Sequence, residues 1–191
     1  MNYEEALAYY PGVVAAGDVA AFVAPLSPST PDDVLWAAWQ TVVAVADESV
    51  APLVFGVRER LPDLPHLGAA MQAAWAEPHP GPEWTSLNAF AATLTAGGID
   101  FLRLGLRTVG LALEAFDGEP HVPAAVAWFR LAGPQLVAAC KHGRTFVDWS
   151  GGSDPGFSVA RWILWRGRME AVSREGFTIM KRYDREIAAS R

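Results

Sequence analysis

Two segments of this chain place tryptophan beside strong hydrogen-bonding groups within an otherwise apolar helical pattern. The first, residues 83–90, contains Trp84 and Asn88. The second, residues 161–168, reads Arg-Trp-Ile-Leu-Trp-Arg-Gly-Arg. Burying such groups costs free energy unless each one finds a hydrogen-bonding partner. Any fold of this chain must therefore supply those partners, either as a polar core or as a ligand-binding site.

Helix signals dominate the rest of the sequence. Apolar residues recur at helical spacing between caps and breakers, and no run alternates with period two. Thr30, in the sequence Thr-Pro-Asp-Asp, is predicted to cap one helix, and Ser86 is predicted to cap another. Gly133 and Pro134 predict a kink in a helix over 123–141. We therefore predict an all-α, single-domain helical bundle of about seven to nine helices.

The predicted domain spans residues 1–191 and has three parts. Residues 1–29 form an N-terminal helical arm, 30–175 the core and 176–191 a C-terminal basic helix or tail. Within the core, residues 143–156 are rich in Gly, Ser and Asp and predict a loop.

The charge of the chain is distributed unevenly. Residues 161–191 hold eight Lys/Arg and four Asp/Glu, a net charge of +4, whereas residues 1–160 hold seven and 17, a net charge of −10. This pattern is typical of a basic helix docked on an acidic body, and it also fits a docking surface for an acidic ligand or partner. The total of −6 argues against a nucleic-acid binder.

Several features favour a cytoplasmic protein. The longest apolar stretch, residues 34–46, is interrupted by Gln40 and is shorter than the roughly 20 residues of a membrane span. The first residues include Glu4 and Glu5 with no basic segment, so we expect no signal peptide. Cys140 is the only cysteine, which excludes an internal disulfide and fits a reducing compartment.

No pattern in the sequence indicates metal, nucleotide or nucleophile chemistry, and we expect neither a metal nor a cofactor. The four histidines lack metal-binding spacing with one another. His79 lies in the proline-rich segment 77–82 beside Trp84 and is the candidate catalytic base, since a free imidazole titrates near neutrality. His121, between two prolines, is a second candidate. For both, an exposed loop histidine is the alternative.

Six residues are candidate ligand-binding residues because they combine large apolar surfaces with polar groups. They are Trp84, Asn88, Arg107, Trp128, Trp162 and Trp165. Asn88 has apolar neighbours at helical spacing, which predicts an inward side chain, either as a structural clamp or as an anchor in a pocket.

The helix carrying Trp162 and Trp165 is predicted to turn both rings inward. Arg161 and Arg168, seven residues apart, then lie together at the boundary. An aromatic stripe of this kind fits either a core or an apolar pocket with a few polar groups.

These residues also resemble a family signature. Residues 84–95 match Trp-x-x-Leu-Asn-Ala-Phe-x-x-x-Leu-Thr, and 112–114 match Ala-Leu-Glu. Residues 125–128 match Ala-x-x-Trp, and 162–169 resemble a closing Trp-x-x-Trp-Lys-x-Arg-Phe element. Together they are similar to a fungal family of intracellular proteins catalogued as a domain of unknown function, over roughly residues 30–175. The resemblance implies a helical intracellular protein and supplies no reaction or catalytic residues.

The chain departs from the family pattern at three positions. The resemblance leads us to expect Arg where Thr93 and Gly110 stand, and Phe where Met169 stands. The resemblance therefore implies that an activity depending on those arginines is lost or changed here.

Two functions follow as hypotheses. The first is a small-molecule-handling protein, either a binding protein or a cofactor-independent cyclase or isomerase, acting on an apolar or aromatic compound of the specialised-metabolite kind. The second is a non-catalytic protein–protein interaction module. An enclosed aromatic cavity would favour the first, and a solid core with an apolar surface groove the second. The sequence leaves open whether the chain is an enzyme and whether it forms homo-oligomers.

Overall fold

A computed structural model describes residues 1–146 and 156–189. Within these residues the chain forms twelve α-helices, two short 3-10 helices and no β-strand, which confirms the all-α prediction. The helices outnumber the predicted seven to nine because three predicted segments each form two helices: the N-terminal arm, residues 123–141 and the C-terminal segment. Of the predicted loop 143–156, residues 147–155 lie outside the described part of the chain.

The chain divides into two compact units, Met1–His79 and Pro80–Arg191. The helices of unit 1 are α1 (Tyr3–Ala16), α2 (Val19–Val23), α3 (Asp32–Ala44), α4 (Ala51–Arg60) and α5 (Leu67–Ala74). Those of unit 2 are α6 (Pro82–Ala96), α7 (Leu102–Leu113), α8 (Val122–Leu131), α9 (Gly133–Lys141), α10 (Val159–Val172), α11 (Arg174–Lys181) and α12 (Asp184–Ala188). The division into a single domain with an arm, a core and a tail stays a prediction.

Unit 1 is held by a chain of aromatic contacts. The rings of Tyr10 and Phe22 lie 5.0 Å apart, and those of Phe22 and Trp39 lie 6.2 Å apart. The indole N–H of Trp39 donates to the carbonyl oxygen of Pro65 over 2.7 Å, which ties α3 to the turn before α5. The first two helices therefore contribute directly to the core of this unit, since α1 packs on α3 and α2 on α4.

Two predicted caps are wrong. The hydroxyl of Thr30 accepts the backbone N–H of Ser27 over 2.8 Å, and α3 begins beyond it with Pro31 at the cap position. Helix α6 begins at Pro82, four residues before Ser86. Proline is tolerated there because the first-turn N–H groups of a helix have no intrahelical acceptor.

Helix α8 is the centre of unit 2 and packs against α6, α7, α9 and α11. A helix surrounded in this way must be apolar over most of its circumference. Its buried residues are Val122, Ala124, Ala125, Val126, Ala127, Trp128 and Phe129.

The predicted kink after α8 is a complete break between two helices. Ala132 separates α8 from α9, and Pro134 stands in the first turn of α9. A Cβ atom on Gly133 would lie only 2.4 Å from the hydroxyl oxygen of Tyr183, so glycine permits the close approach of the segment between α11 and α12. Among the helices described, none has both the length and the apolar character needed to cross a bilayer.

Candidate functional site

The first polar cluster of unit 2 is centred on Asn88, which is fully buried on α6. Its amide oxygen accepts the hydroxyl of Thr108 from α7 and the indole N–H of Trp128 from α8, each over 2.7 Å. Its amide nitrogen donates to the backbone carbonyl of Trp84 over 2.8 Å. One side chain thus joins three helices, and the inward orientation predicted for Asn88 is confirmed.

This geometry corresponds to the structural-clamp interpretation of Asn88. An amide oxygen has two lone pairs, and both are directed to donors from the chain itself. Trp128 is fully buried, and its ring packs so closely on α7 that a Cβ atom on Gly105 would lie 2.9 Å from it. The orientation of α8 about its own axis is therefore set by a hydrogen bond and by close packing.

The second polar cluster is centred on Glu114, the residue after α7. The carboxylate accepts Nε of Arg161 over 2.6 Å and Nη2 of Arg161 over 3.0 Å, a bidentate pair. It also accepts the indole N–H of Trp165 over 2.6 Å. The remaining Nη1 of Arg161 donates to the carbonyl oxygen of Gly156 over 2.6 Å. The guanidinium carbon lies 5.3 Å from the centroid of the Trp165 ring, so the ion pair is also shielded by an aromatic face.

The structure separates the two arginines that were predicted to share the boundary. Arg161 is buried, with only 8% of its surface exposed, whereas Arg168 is exposed and donates to the carbonyl oxygen of Leu113. The prediction is wrong for Arg161 because Glu114 supplies a charge that offsets the cost of burial. Gly110 faces this arrangement, and a Cβ atom there would make an ordinary van der Waals contact with Nη2 of Arg161, at 3.7 Å.

The prediction that Trp162 and Trp165 face inward is confirmed, because both are fully buried. Trp162 packs edge-on against Phe129 and Tyr183, with ring centroids 5.6 Å and 6.0 Å away. Within the described residues its indole N–H has no hydrogen-bond acceptor. Trp162 therefore contributes through packing, whereas Trp165 also contributes a hydrogen bond.

The other predicted site residues have different settings. Arg107 is half-buried on α7. Trp84 is buried, and its ring meets that of His121 edge-on at 6.2 Å. His79 belongs to unit 1 and is exposed, with Nδ1 2.7 Å from the carbonyl oxygen of Glu77. The structure thus joins Trp84, Asn88 and Trp128 in one cluster and places Trp165 in another.

Burial shifts the pKa values of Cys140, which is buried, and of His121, which is half-buried. Burial raises the pKa of the Cys140 thiol to about 12, so this sulfur stays protonated and behaves as a small apolar group. Burial lowers the pKa of His121, and the nearby carboxylate of Asp117 opposes part of that shift. Among the described residues no group of three His, Cys, Asp or Glu side chains has a metal-binding arrangement.

Unit 2 also carries an open groove of about 460 Å³, called here the α8 groove. The apolar α8 residues of its lining are called its floor, Val172 at the end of α10 its wall, and the polar and charged lining residues its rim. The lining residues are Thr85, Glu119, Val122, Pro123, Val126, Ala127, Arg130, Val172, Ser173 and Glu175. Sequence patterns could not reveal this groove, because its residues come from three separate segments.

A second groove, of about 530 Å³, lies on unit 1. It is lined by Pro11, Val14, Ala15, Gln40, Thr41, Ala44, Val45, Asp47, Ser49 and Val50. No charged residue other than Asp47 contributes to this lining.

The fold and these clusters define an all-α protein with a tryptophan-rich core and two polar clusters, centred on Asn88 and Glu114. The family described as "Protein of unknown function (DUF3632)" matches residues 58–169, more than half of the chain, and this chain belongs to that family. Both polar clusters lie within the matched range, whereas the α8 groove extends beyond it at Val172, Ser173 and Glu175. Comparison with curated proteins found no match, and comparison with solved structures found none.

Proposed function

We propose that this chain is a small-molecule-binding protein that holds an apolar or aromatic compound in the α8 groove. The observation that carries the proposal is the groove itself. Its floor includes Val122, Val126 and Ala127, and its volume of about 460 Å³ is that of a pocket for a drug-sized ligand. Polar groups at the rim, including Thr85 and Ser173, are suited to fixing the orientation of such a ligand.

The buried tryptophans have a positioning role in this proposal. Trp128 is held by Asn88, and Val126 and Ala127 of the groove floor precede it directly on α8. A rotation of α8 would move both lining residues and break that hydrogen bond. The predicted ligand-binding residues Trp84, Asn88 and Trp128 therefore stabilise the position of the helix that lines the groove. A cyclase or isomerase reaction here would need only shaped apolar contacts and positioned polar groups.

The test is a thermal-shift screen with apolar and aromatic compounds. A ligand at 100 times its dissociation constant stabilises the folded state by about 2.7 kcal/mol. For a chain of this size that stabilisation raises the melting temperature by about 5–10 °C.

The site is located by a matched pair of variants. Val172, at 46% exposure, lines the groove, and Leu164, at 44% exposure on the same helix, does not. Val172→Arg should abolish the shift, because it introduces a charge into the apolar wall, while Leu164→Arg should preserve it. Loss of binding in both variants, or in neither, contradicts the assignment of the groove.

A non-catalytic interaction module is the second candidate, and two observations favour it. The four tryptophans predicted to bind a ligand are buried in the core, and the α8 groove is open and has no aromatic side chain in its lining, which is the arrangement expected of such a module. Helix α10 exposes the large apolar side chains of Ile163 and Leu164 next to each other, at 41% and 44%. A second copy of this chain would cover them. Sedimentation equilibrium should then show a dimer for the wild type and a monomer for Leu164→Arg. A wild-type monomer at about 100 μM excludes this form of the alternative, since specific dimers are formed well below that concentration.

The proposal also covers the cellular location and the origin of the protein. A single buried thiol and the absence of a bilayer-crossing helix among the described residues support a cytoplasmic location. A fungal origin, which the family resemblance implies, and a place in specialised metabolism, which the small-molecule hypothesis includes, belong to the same proposal.

A further inference from the structure

We infer that the α8 groove selects ligands that carry a positively charged amine on an apolar or aromatic body. This inference rests on the proposed function and names the ligand class of the same site. Its basis is the net negative charge of the residues that line the groove.

Two carboxylates stand at the rim. Glu119 begins the 3-10 helix that leads into α8, and Glu175 lies in the first turn of α11. Both residues are exposed, and neither side chain has a hydrogen bond or ion pair within the described residues. The third charged lining residue, Arg130, is not free, because it has an interaction of its own. Counted together, Glu119, Glu175 and Arg130 give the lining two negative charges and one positive charge, a net charge of −1.

The apolar floor and the charged rim together fit a ligand that is amphiphilic. Val122 and Val126 offer contact to a hydrocarbon or aromatic body, while an ammonium group reaches the rim carboxylates. A partly exposed ion pair contributes little, about 1.4-fold to fivefold in affinity. Arg130 opposes the attraction of one of the two carboxylates, so we expect about 1.4-fold to fivefold selectivity for a cation over a neutral analogue. This selectivity decreases as ionic strength rises, since salt screens exposed charges.

The experiment compares three probes that share one aromatic body. They are 2-(naphthalen-1-yl)ethylamine, 2-(naphthalen-1-yl)ethanol and naphthalen-1-ylacetate, titrated into the full chain by calorimetry or NMR. We expect the amine to bind most tightly and the acetate most weakly. Glu119→Gln and Glu175→Gln should each weaken binding of the amine and leave binding of the alcohol unchanged. The control is Glu170→Gln, which removes an exposed acid of α10 outside the groove.

The outcomes separate this inference from the proposed function. Equal binding of all three probes, or tightest binding of the acetate, overturns the amine preference. If the amine preference fails in this way but Val172→Arg abolishes binding of the probes, the α8 groove remains the binding site. Binding of none of the probes to the wild type overturns the inference and counts against the proposed function as well. An effect of Glu170→Gln equal to that of the rim variants shows that general surface charge is responsible, and this also overturns the inference.

Discussion

The indole N–H of Trp128 donates to the amide oxygen of Asn88 over 2.7 Å, although the two residues are 40 positions apart in the sequence. Both side chains are fully buried. The bond joins α6 to α8, and α8 supplies the floor of the α8 groove. A polar contact deep in the core thus determines which residues α8 presents at the surface.

Replacing Asn88 by Leu should destabilise the protein by about 2–4 kcal/mol, because the buried donors of Thr108 and Trp128 both lose their shared acceptor. Chemical denaturation measures the free energy of unfolding. The control is Thr93→Val on the same helix, at a half-buried position, which should cost less than about 1 kcal/mol. An Asn88→Leu protein as stable as the control would show that the clamp carries no net energy.

Trp128→Phe should cost more than Trp162→Phe, although each removes the same volume from a fully buried site. The first variant also removes a hydrogen bond, worth about 0.5–1.5 kcal/mol, whereas the indole N–H of Trp162 has no acceptor among the described residues. Denaturant melts of the two variants provide the comparison. Equal losses would mean that the bond to Asn88 is energetically neutral.

Arg161→Met should destabilise the fold by about 3 kcal/mol, the lower end of the range for a broken buried ion pair, since Glu114 remains 29% exposed. Arg168→Met, one heptad further along the same helix, should cost about 1 kcal/mol or less, because Arg168 is exposed. Trp162→Ala sets the upper reference at about 3–5 kcal/mol. The double variant with Arg161→Met and Glu114→Gln should be destabilised by less than the sum of the two single variants. A strictly additive loss of stability would rule out coupling between these two residues.

Gly105→Ala should destabilise by about 1–3 kcal/mol, because the new methyl group would lie 2.9 Å from the anchored ring of Trp128. Gly167→Ala is the matched change in α10, where a Cβ atom has no neighbour within 4 Å. It should stabilise by about 0.5–1 kcal/mol through helix propensity. Melting temperatures that move in the same direction for both variants would contradict the close packing of α7 on Trp128.

His121 should make the protein less stable as the pH falls. Burial lowers its pKa, so below about pH 6.5 the unfolded state binds a proton more readily than the folded state. The wild-type melting temperature should therefore decrease from about pH 7.5 to about pH 5.5 by more than that of His121→Gln. His79→Gln, which changes an exposed histidine, is the control. Parallel pH profiles for wild type and His121→Gln would show that burial at this position has no effect on titration.

Local sequence signals predicted the helices well and their ends less well. The helical character of residues 123–141 follows directly from apolar spacing, although the predicted kink is a complete break at Ala132. The beginning of α6 at Pro82 was missed because proline both ends one segment and fits the first turn of the next. Thr30 was misassigned because its hydroxyl has a competing partner, the backbone N–H of Ser27.

The candidate site divides in the same way. The inward direction of Asn88, Trp162 and Trp165 could be read from helical spacing, since the period of a helix fixes which residues share a face. The hydrogen-bonding and packing partners of these side chains could not be read from the sequence. Glu114 was visible as the end of an Ala-Leu-Glu match, but its ion pair with Arg161 spans 47 positions and depends on how α7 and α10 meet.

The sequence alone determined the class of fold, the helical segments and the need for buried polar partners, because these depend on local spacing and on the chemistry of single side chains. Tertiary structure decided the rest. It turned Arg161 inward and left Arg168 exposed on the same helix, because the carboxylate of Glu114, the residue after α7, pairs with Arg161. It also assembled the α8 groove from residues of three segments, since a surface concavity is a property of packed helices and of no single one.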